Sequence, residues 1–366
     1  MRGNVRIFAI SYYTKSQTCD KLIYNAYRRE DEDMEELKMS RKHFSKLGGM
    51  FIIGTIVIYA VQLGVGVLVG LLKPEWLYDP NISLLVSMLP MYLVGMPVLI
   101  LLVRRLPAET VEKHEMRPGQ FIVALIMTFG IMYAMNFLGT MITTVIGTLK
   151  GSEVQNLVAE IATSTNIVVV FIFMVICAPV MEEYIFRKLI VDRTVRYGQG
   201  VAVLLSGLMF GLFHGNLNQF IYAFAMGVFL AFLYVKTGKL KITIAIHMAV
   251  NFMGGVVSSQ LLKAINLNEY MEIVSRGMDM DRLIPYMTEH LAGWIGYLLL
   301  CIFIFGCVIA AGVLLIVFLI QKRFALNPGT IVIPQGKKFR TFFLNLGMII
   351  YCVFWIGMIL VQLFFT

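Results

Sequence analysis

Three groups of polar residues stand inside apolar stretches of this chain, each with a helical spacing. Glu182-Glu183-x-x-x-Arg187 follows the apolar run 168–180. Phe210-x-x-x-His214 closes the run 201–213, and His247-x-x-x-Asn251 lies within 242–254. Ionisable groups at bilayer depth are costly and by default mark function. On a helix, residues four apart share a face and neighbours diverge by about 100°. Glu183 and Arg187 therefore form an i,i+4 ion pair in the favourable order, while Glu182 has no cation at i+4. This predicts different jobs: Glu183 with Arg187 as a partly buried support, Glu182 as the free reactive carboxylate. Burial and the neighbouring charge push such a group toward general-base use. Phe210 shares a face with His214 and can hold its imidazole. His247 and Asn251 also face one way. A cavity holding Glu182, His214, His247 and Asn251, supported by Glu183, Arg187 and Phe210, has the minimum for activating water against an amide carbonyl and stabilising the oxyanion. The same cavity equally supplies Glu182, His214 and His247 as ligands for one zinc ion with an open water position.

The elements that must position these groups are membrane helices. Hydrophobic residues make up 58% of the 366 and charged residues 14%; soluble domains carry about 45–50% and 25%. The apolar runs are continuous and do not alternate, which predicts an all-α polytopic transmembrane bundle and argues against a barrel. About nine spans are expected, near 47–72, 82–103, 119–148, 165–187, 200–215, 218–235, 242–262, 292–320 and 341–365. The short fifth and sixth nearly abut, so eight is an alternative count. With a cytoplasmic N-terminus, the inner segments hold 26 Lys and Arg and the outer ones five. That asymmetry follows the positive-inside rule and accounts for the net charge of +9 without nucleic acid.

The expected organisation is a cytoplasmic N-terminal arm (1–46), N-terminal membrane helices (47–164), a core carrying the three groups (165–262), an extracytoplasmic amphipathic segment (263–291) and C-terminal membrane helices (292–366). The arm lacks the apolar region of a cleavable signal peptide. The five cysteines show no metal-ligand spacing and read as core residues. His43, His114 and His290 lie in polar segments, so both histidines of the apolar spans belong to the candidate site. Pro179 is expected to kink the fourth span beside the acids.

In order and spacing, E-E-x-x-x-R, F-x-x-x-H and H-x-x-x-N, each on its own apolar helix, resemble the type II CAAX prenyl endopeptidases. The prokaryotic members of that family include the Abi bacteriocin-processing and immunity proteins and a lysostaphin-resistance-protein-A-like group. The resemblance covers about residues 165–255. It implies an intramembrane protease in which Glu182 and His214 activate water, His247 and Asn251 hold the oxyanion or complete the site, and Glu183 and Arg187 support it. Both metallo- and metal-free glutamate-dependent mechanisms are compatible with that implication. The implied partners are the lipid bilayer and a membrane-anchored or amphipathic peptide: CAAX-like, bacteriocin or signal. The implied location is multi-pass in a membrane, the plasma membrane for a prokaryotic chain. No H-E-x-x-H, G-x-S-x-G or intramembrane aspartate pair is present, so zincin, rhomboid-like and presenilin-like chemistries lack their residues. The rival classes are a proton-coupled transporter, which calls for repeats with paired broken helices, and a non-proteolytic scaffold or immunity protein. One question of depth stands: a fourth span ending near Arg187 and a fifth starting near residue 200 do not bring Glu182 level with His214.

Overall fold

Inside a bilayer every backbone N–H and C=O must be satisfied within the protein, so continuous apolar runs become helices. The computed structural model describes the backbone of residues 4–365 and the side chains of residues 34–365. Most of the expected N-terminal arm, and Cys19 in it, therefore lies outside the described side chains. Among the described residues no strand is present. The apolar helices are α1 (Asn4–Leu72), α2 (Pro80–Val103), α3 (Pro118–Lys150), α4 (Ile167–Tyr197), α5 (Gln199–Phe213), α6 (Leu217–Thr237) and α7 (Leu240–Ala264). Two short helices, α8 (Leu267–Ser275) and α9 (Met280–Glu289), precede α10 (Leu291–Ile320) and α11 (Leu346–Phe365). Eight of these are long and apolar enough to span a membrane. The ninth expected span is α5, whose 15 residues reach about 22 Å, short of the roughly 30 Å hydrocarbon core. The expected 263–291 segment forms α8 and α9, where Glu272 meets Arg276 at 3.1 Å and Arg282 at 3.4 Å.

The chain divides into two compact units. The smaller comprises Met1–Gly49 and Ile333–Ile350. Within it, the Phe44 and Phe342 rings meet at 4.8 Å, Arg41 donates to the Leu344 carbonyl at 2.8 Å, and the Ser45 hydroxyl accepts the Gly347 N–H at 3.1 Å. The larger comprises Met50–Val332 and Tyr351–Thr366 and contains the candidate site.

In the larger unit α4 does not end near Arg187. It runs on to Tyr197, because the charged residues that read as a loop are packed and paired. Lys188 meets Asp192 at 2.6 Å, Tyr234 donates to Asp192 at 3.0 Å, and Arg193 donates to the Val103 carbonyl at 2.7 Å. Gly198, at φ +116, makes the turn into α5, a conformation L-residues rarely adopt. The hairpin is symmetric about it: Glu182 lies sixteen residues before Gly198 and His214 sixteen after. At 1.5 Å per residue both stand about 24 Å from the turn, which brings the two groups to one depth. The loop 325–332 straps this end. The Gln199 N–H donates to the Asn327 carbonyl at 3.1 Å, and the Ile331 N–H to the Arg196 carbonyl at 2.9 Å.

Next, α5 and α6 approach closely through small residues. A Cβ on Gly207 would sit 2.7 Å from the Val228 nitrogen, and one on Gly211 would sit 3.0 Å from the Phe224 nitrogen. Gly207-x-x-x-Gly211 is the small-residue spacing that lets membrane helices touch. Four stretches of the membrane helices are π-helical: Met91–Gly95, Phe171–Cys177, Tyr184–Val191 and Met253–Ser258. Two of them flank the acidic pair, and such stretches recur at functional sites.

Candidate active site

The site is assembled from one face of each of three helices. On α4, Pro179, Glu183 and Arg187 are spaced by four. On α5 the same spacing runs Ser206, Phe210, His214, and on α7 Thr243, His247, Asn251. Phe210 is where these faces converge. Fully buried, its ring lies 4.8 Å from that of His214, 5.7 Å from that of His247 and 5.2 Å from that of Phe186. The Arg187 guanidinium sits over it at 4.6 Å.

Glu183 and Arg187 form the expected i,i+4 pair at 3.0 Å, both side chains 0% exposed. Arg187 also donates to Ser206 Oγ at 3.3 Å, and Ser206 donates to the Phe186 carbonyl at 2.7 Å. Glu183 does more than steady Arg187. Its Oε1 lies 2.9 Å from His247 Nδ1. A carboxylate paired with a guanidinium is an acceptor, so Nδ1 carries the proton of that bond. His247 Nε2 lies 3.6 Å from Glu182 Oε2. His247 thus stands between the two carboxylates. Glu182 is the more accessible of the two, at 18% exposure.

His214 follows the same logic. Its Nδ1 lies 2.8 Å from the Phe210 carbonyl, which can only accept. Nδ1 therefore carries the proton and Nε2 is free. Glu182 is close enough for its charge to act on His214. Asn251 is held differently: its Nδ2 donates to the Met174 carbonyl on α4 at 2.8 Å. All seven residues singled out from the sequence thus fall in one region of three packed helices.

The sequence reading missed Ser206, although it continues the Phe210–His214 face by one turn. It also missed Tyr92 on α2 and Tyr222 on α6, both within reach of the Glu182 charge; no spacing rule links them to it. Chemically, the cluster offers one accessible carboxylate and two imidazoles whose Nδ1 atoms are each engaged, with His247 Nε2 turned toward Glu182. Those three donors are types that zinc accepts, and Nδ1 bonds to a carboxylate or a carbonyl are the outer contacts that orient metal-bound imidazoles.

Residues 164–253, which contain all of these groups except those on α2, match the family model described as Rce1-like type II CAAX prenyl endopeptidase. Over this stretch the chain is similar to the Rce1-like CAAX proteases. Two curated proteins are similar over a longer stretch. The membrane-embedded CAAX protease MroQ of Staphylococcus aureus (strain USA300) is 29% identical over 195 residues, which is 50% of this chain and 77% of that protein. The putative membrane peptidase YdiL of Bacillus subtilis (strain 168) is 29% identical over 166 residues, 44% of this chain and 66% of the relative. No solved structure matches the chain. With eight apolar helices of spanning length, the CAAX-protease-like stretch belongs to a multi-pass integral membrane protein and is a membrane endopeptidase domain.

Proposed function

We propose that this CAAX-type protein hydrolyses a peptide bond in a membrane-anchored or amphipathic peptide with water activated at Glu182 and His214. The observation that carries this reading is the row Arg187–Glu183–His247–Glu182, linked at 3.0, 2.9 and 3.6 Å. In it a buried ion pair fixes an imidazole, and the imidazole faces an accessible carboxylate. The pattern follows the nucleophile–base–orienter logic of hydrolytic sites.

In this reading water donates one proton to the Glu182 carboxylate as its oxygen adds to the scissile carbonyl. His214 Nε2, held by the bond from Nδ1, accepts a hydrogen bond from the same water and aligns it. The protonated Glu182 carboxyl shares that proton with His247 Nε2, which then faces the tetrahedral oxyanion as a donor. Glu182 then returns its proton to the leaving amine as the C–N bond breaks. If a zinc ion is bound, Glu182, His214 and His247 would hold it, and it would lower the pKa of the water.

The test is Glu182→Gln in the full chain, in lipid, against a membrane-anchored reporter peptide, with metal analysis and a chelator arm run on the same preparation. Glu182→Gln should abolish cleavage while thermal unfolding stays near that of the wild type. A variant that cleaves at the wild-type rate would remove Glu182 from the mechanism. Chelator-sensitive cleavage with stoichiometric zinc would select the metallo form of the site.

A further inference from the structure

Pro179 sits inside α4, four residues before Glu183. In a continuous α-helix its ring would clash with the carbonyl four residues back, and its missing N–H would leave that carbonyl unbonded. The chain meets this with a π-helical stretch at Phe171–Cys177, after which the Ala178 N–H bonds five residues back to the Phe173 carbonyl. In that register the next carbonyl, Met174, would be served by residue 179. Proline has no N–H to give. An apolar membrane helix offers no water to replace it.

The missing donor comes from another helix. Asn251 Nδ2 donates to the Met174 carbonyl at 2.8 Å. The bond ties α7 to α4 one turn from His247 in sequence, on the face that also carries the 2.9 Å His247–Glu183 contact. The π stretch sets the rotation of everything after it on α4, including the directions in which Glu182 and Glu183 project.

We propose that Asn251 is a positioning residue: its amide stands in for the N–H that Pro179 lacks, and the pair fixes the rotation of the acidic turn toward His247. For its activity readout this rests on the peptidase reading above; for its stability readout it does not.

The test is a rescue cycle in the full chain in lipid: Asn251→Ala, Pro179→Ala, and both together, with cleavage and thermal unfolding measured on each. Asn251→Ala should lower cleavage by about tenfold or more and lower the unfolding temperature, because it leaves a half-buried carbonyl unbonded. Pro179→Ala restores a backbone N–H, so the double variant should come within about threefold of Pro179→Ala alone and recover its unfolding temperature. A double variant as impaired as Asn251→Ala in both measurements would overturn the proposal. So would recovery of stability without recovery of cleavage, which would assign Asn251 to the reacting substrate. If the wild type cleaves nothing, the peptidase reading fails, and recovery or non-recovery of the unfolding temperature still decides the Asn251–Pro179 link.

Discussion

Replacing Glu183 by Gln leaves Arg187 charged, fully buried and without its counterion. Both side chains are 0% exposed and meet at 3.0 Å. Breaking a buried pair from one side costs about 3–5 kcal/mol, whereas removing both charges together is often neutral. Arg187 keeps its place over the Phe210 ring at 4.6 Å in both forms, so that contact leaves the difference unchanged. A loss of about 3–5 kcal/mol is therefore expected for Glu183→Gln, measured by reversible unfolding in mixed micelles. The double variant Glu183→Gln, Arg187→Met should regain most of it. Cleavage should not follow. The 2.9 Å bond to His247 falls from a charge-assisted to a neutral one, a difference of about 1.4 kcal/mol, so kcat/KM should drop about tenfold in both variants. Unchanged stability in the single variant would refute the buried pair. Wild-type cleavage in the double variant would refute the role of the Glu183 charge in setting His247.

Two further outcomes follow from the packing and the surface. Gly211→Leu places atoms against the Phe224 backbone, which already lies 3.0 Å from the Cβ position; it should cost about 1–3 kcal/mol and reduce cleavage by parting α5 from α6, whereas Gly119→Ala, with open space around it, should leave the unfolding temperature unchanged. The hydrogen bond from Lys239 holds the Glu115 carboxyl below the usual carboxylate range, so the hold that this contact gives the loop 107–117 is complete above the ordinary glutamate pKa and is lost as pH falls through the lowered one. The protection of that loop against hydrogen exchange, taken relative to the intrinsic amide rate at each pH, should be flat from neutral pH to about pH 5 and fall in more acidic solution, and Glu115→Gln should remove the step.

The span pattern was legible because apolar runs long enough to cross a membrane have few other solutions. Seven of the nine expected starts agree with the helices to within two residues. What hydropathy could not read was the far end of α4. Lys188, Asp192, Arg193 and Arg196 look like a solvated connection, yet Asp192 and Arg193 are buried, because Lys188, Tyr234 and the Val103 carbonyl satisfy them. Pairing across helices leaves no periodic trace in sequence. The same reason divided the reading of the acids. Helical phase gave the Glu183–Arg187 pair directly, since both ends lie on one helix. It could not give the second contact of Glu183, because His247 lies 64 residues away. Glu182 was therefore read as the single acid facing the histidines, whereas His247 meets both.

That second contact bears on how a reactive site persists at membrane depth. A free imidazole lone pair among apolar helices is inexpensive only if the rest of the ring is satisfied. Here each ring is anchored by Nδ1, one on the Phe210 carbonyl and one on Glu183, and His247 turns its Nε2 toward Glu182. The two anchors differ in strength. A backbone carbonyl is a neutral acceptor, while the Glu183 carboxylate makes a charge-assisted bond. His214 is thus held by a neutral bond, and His247 by a charge-assisted one whose acceptor is itself tied to Arg187. The division of labour first sought in two adjacent glutamates belongs equally to the two histidines. It is set by what stands behind each ring, a main-chain carbonyl for one and a buried ion pair for the other.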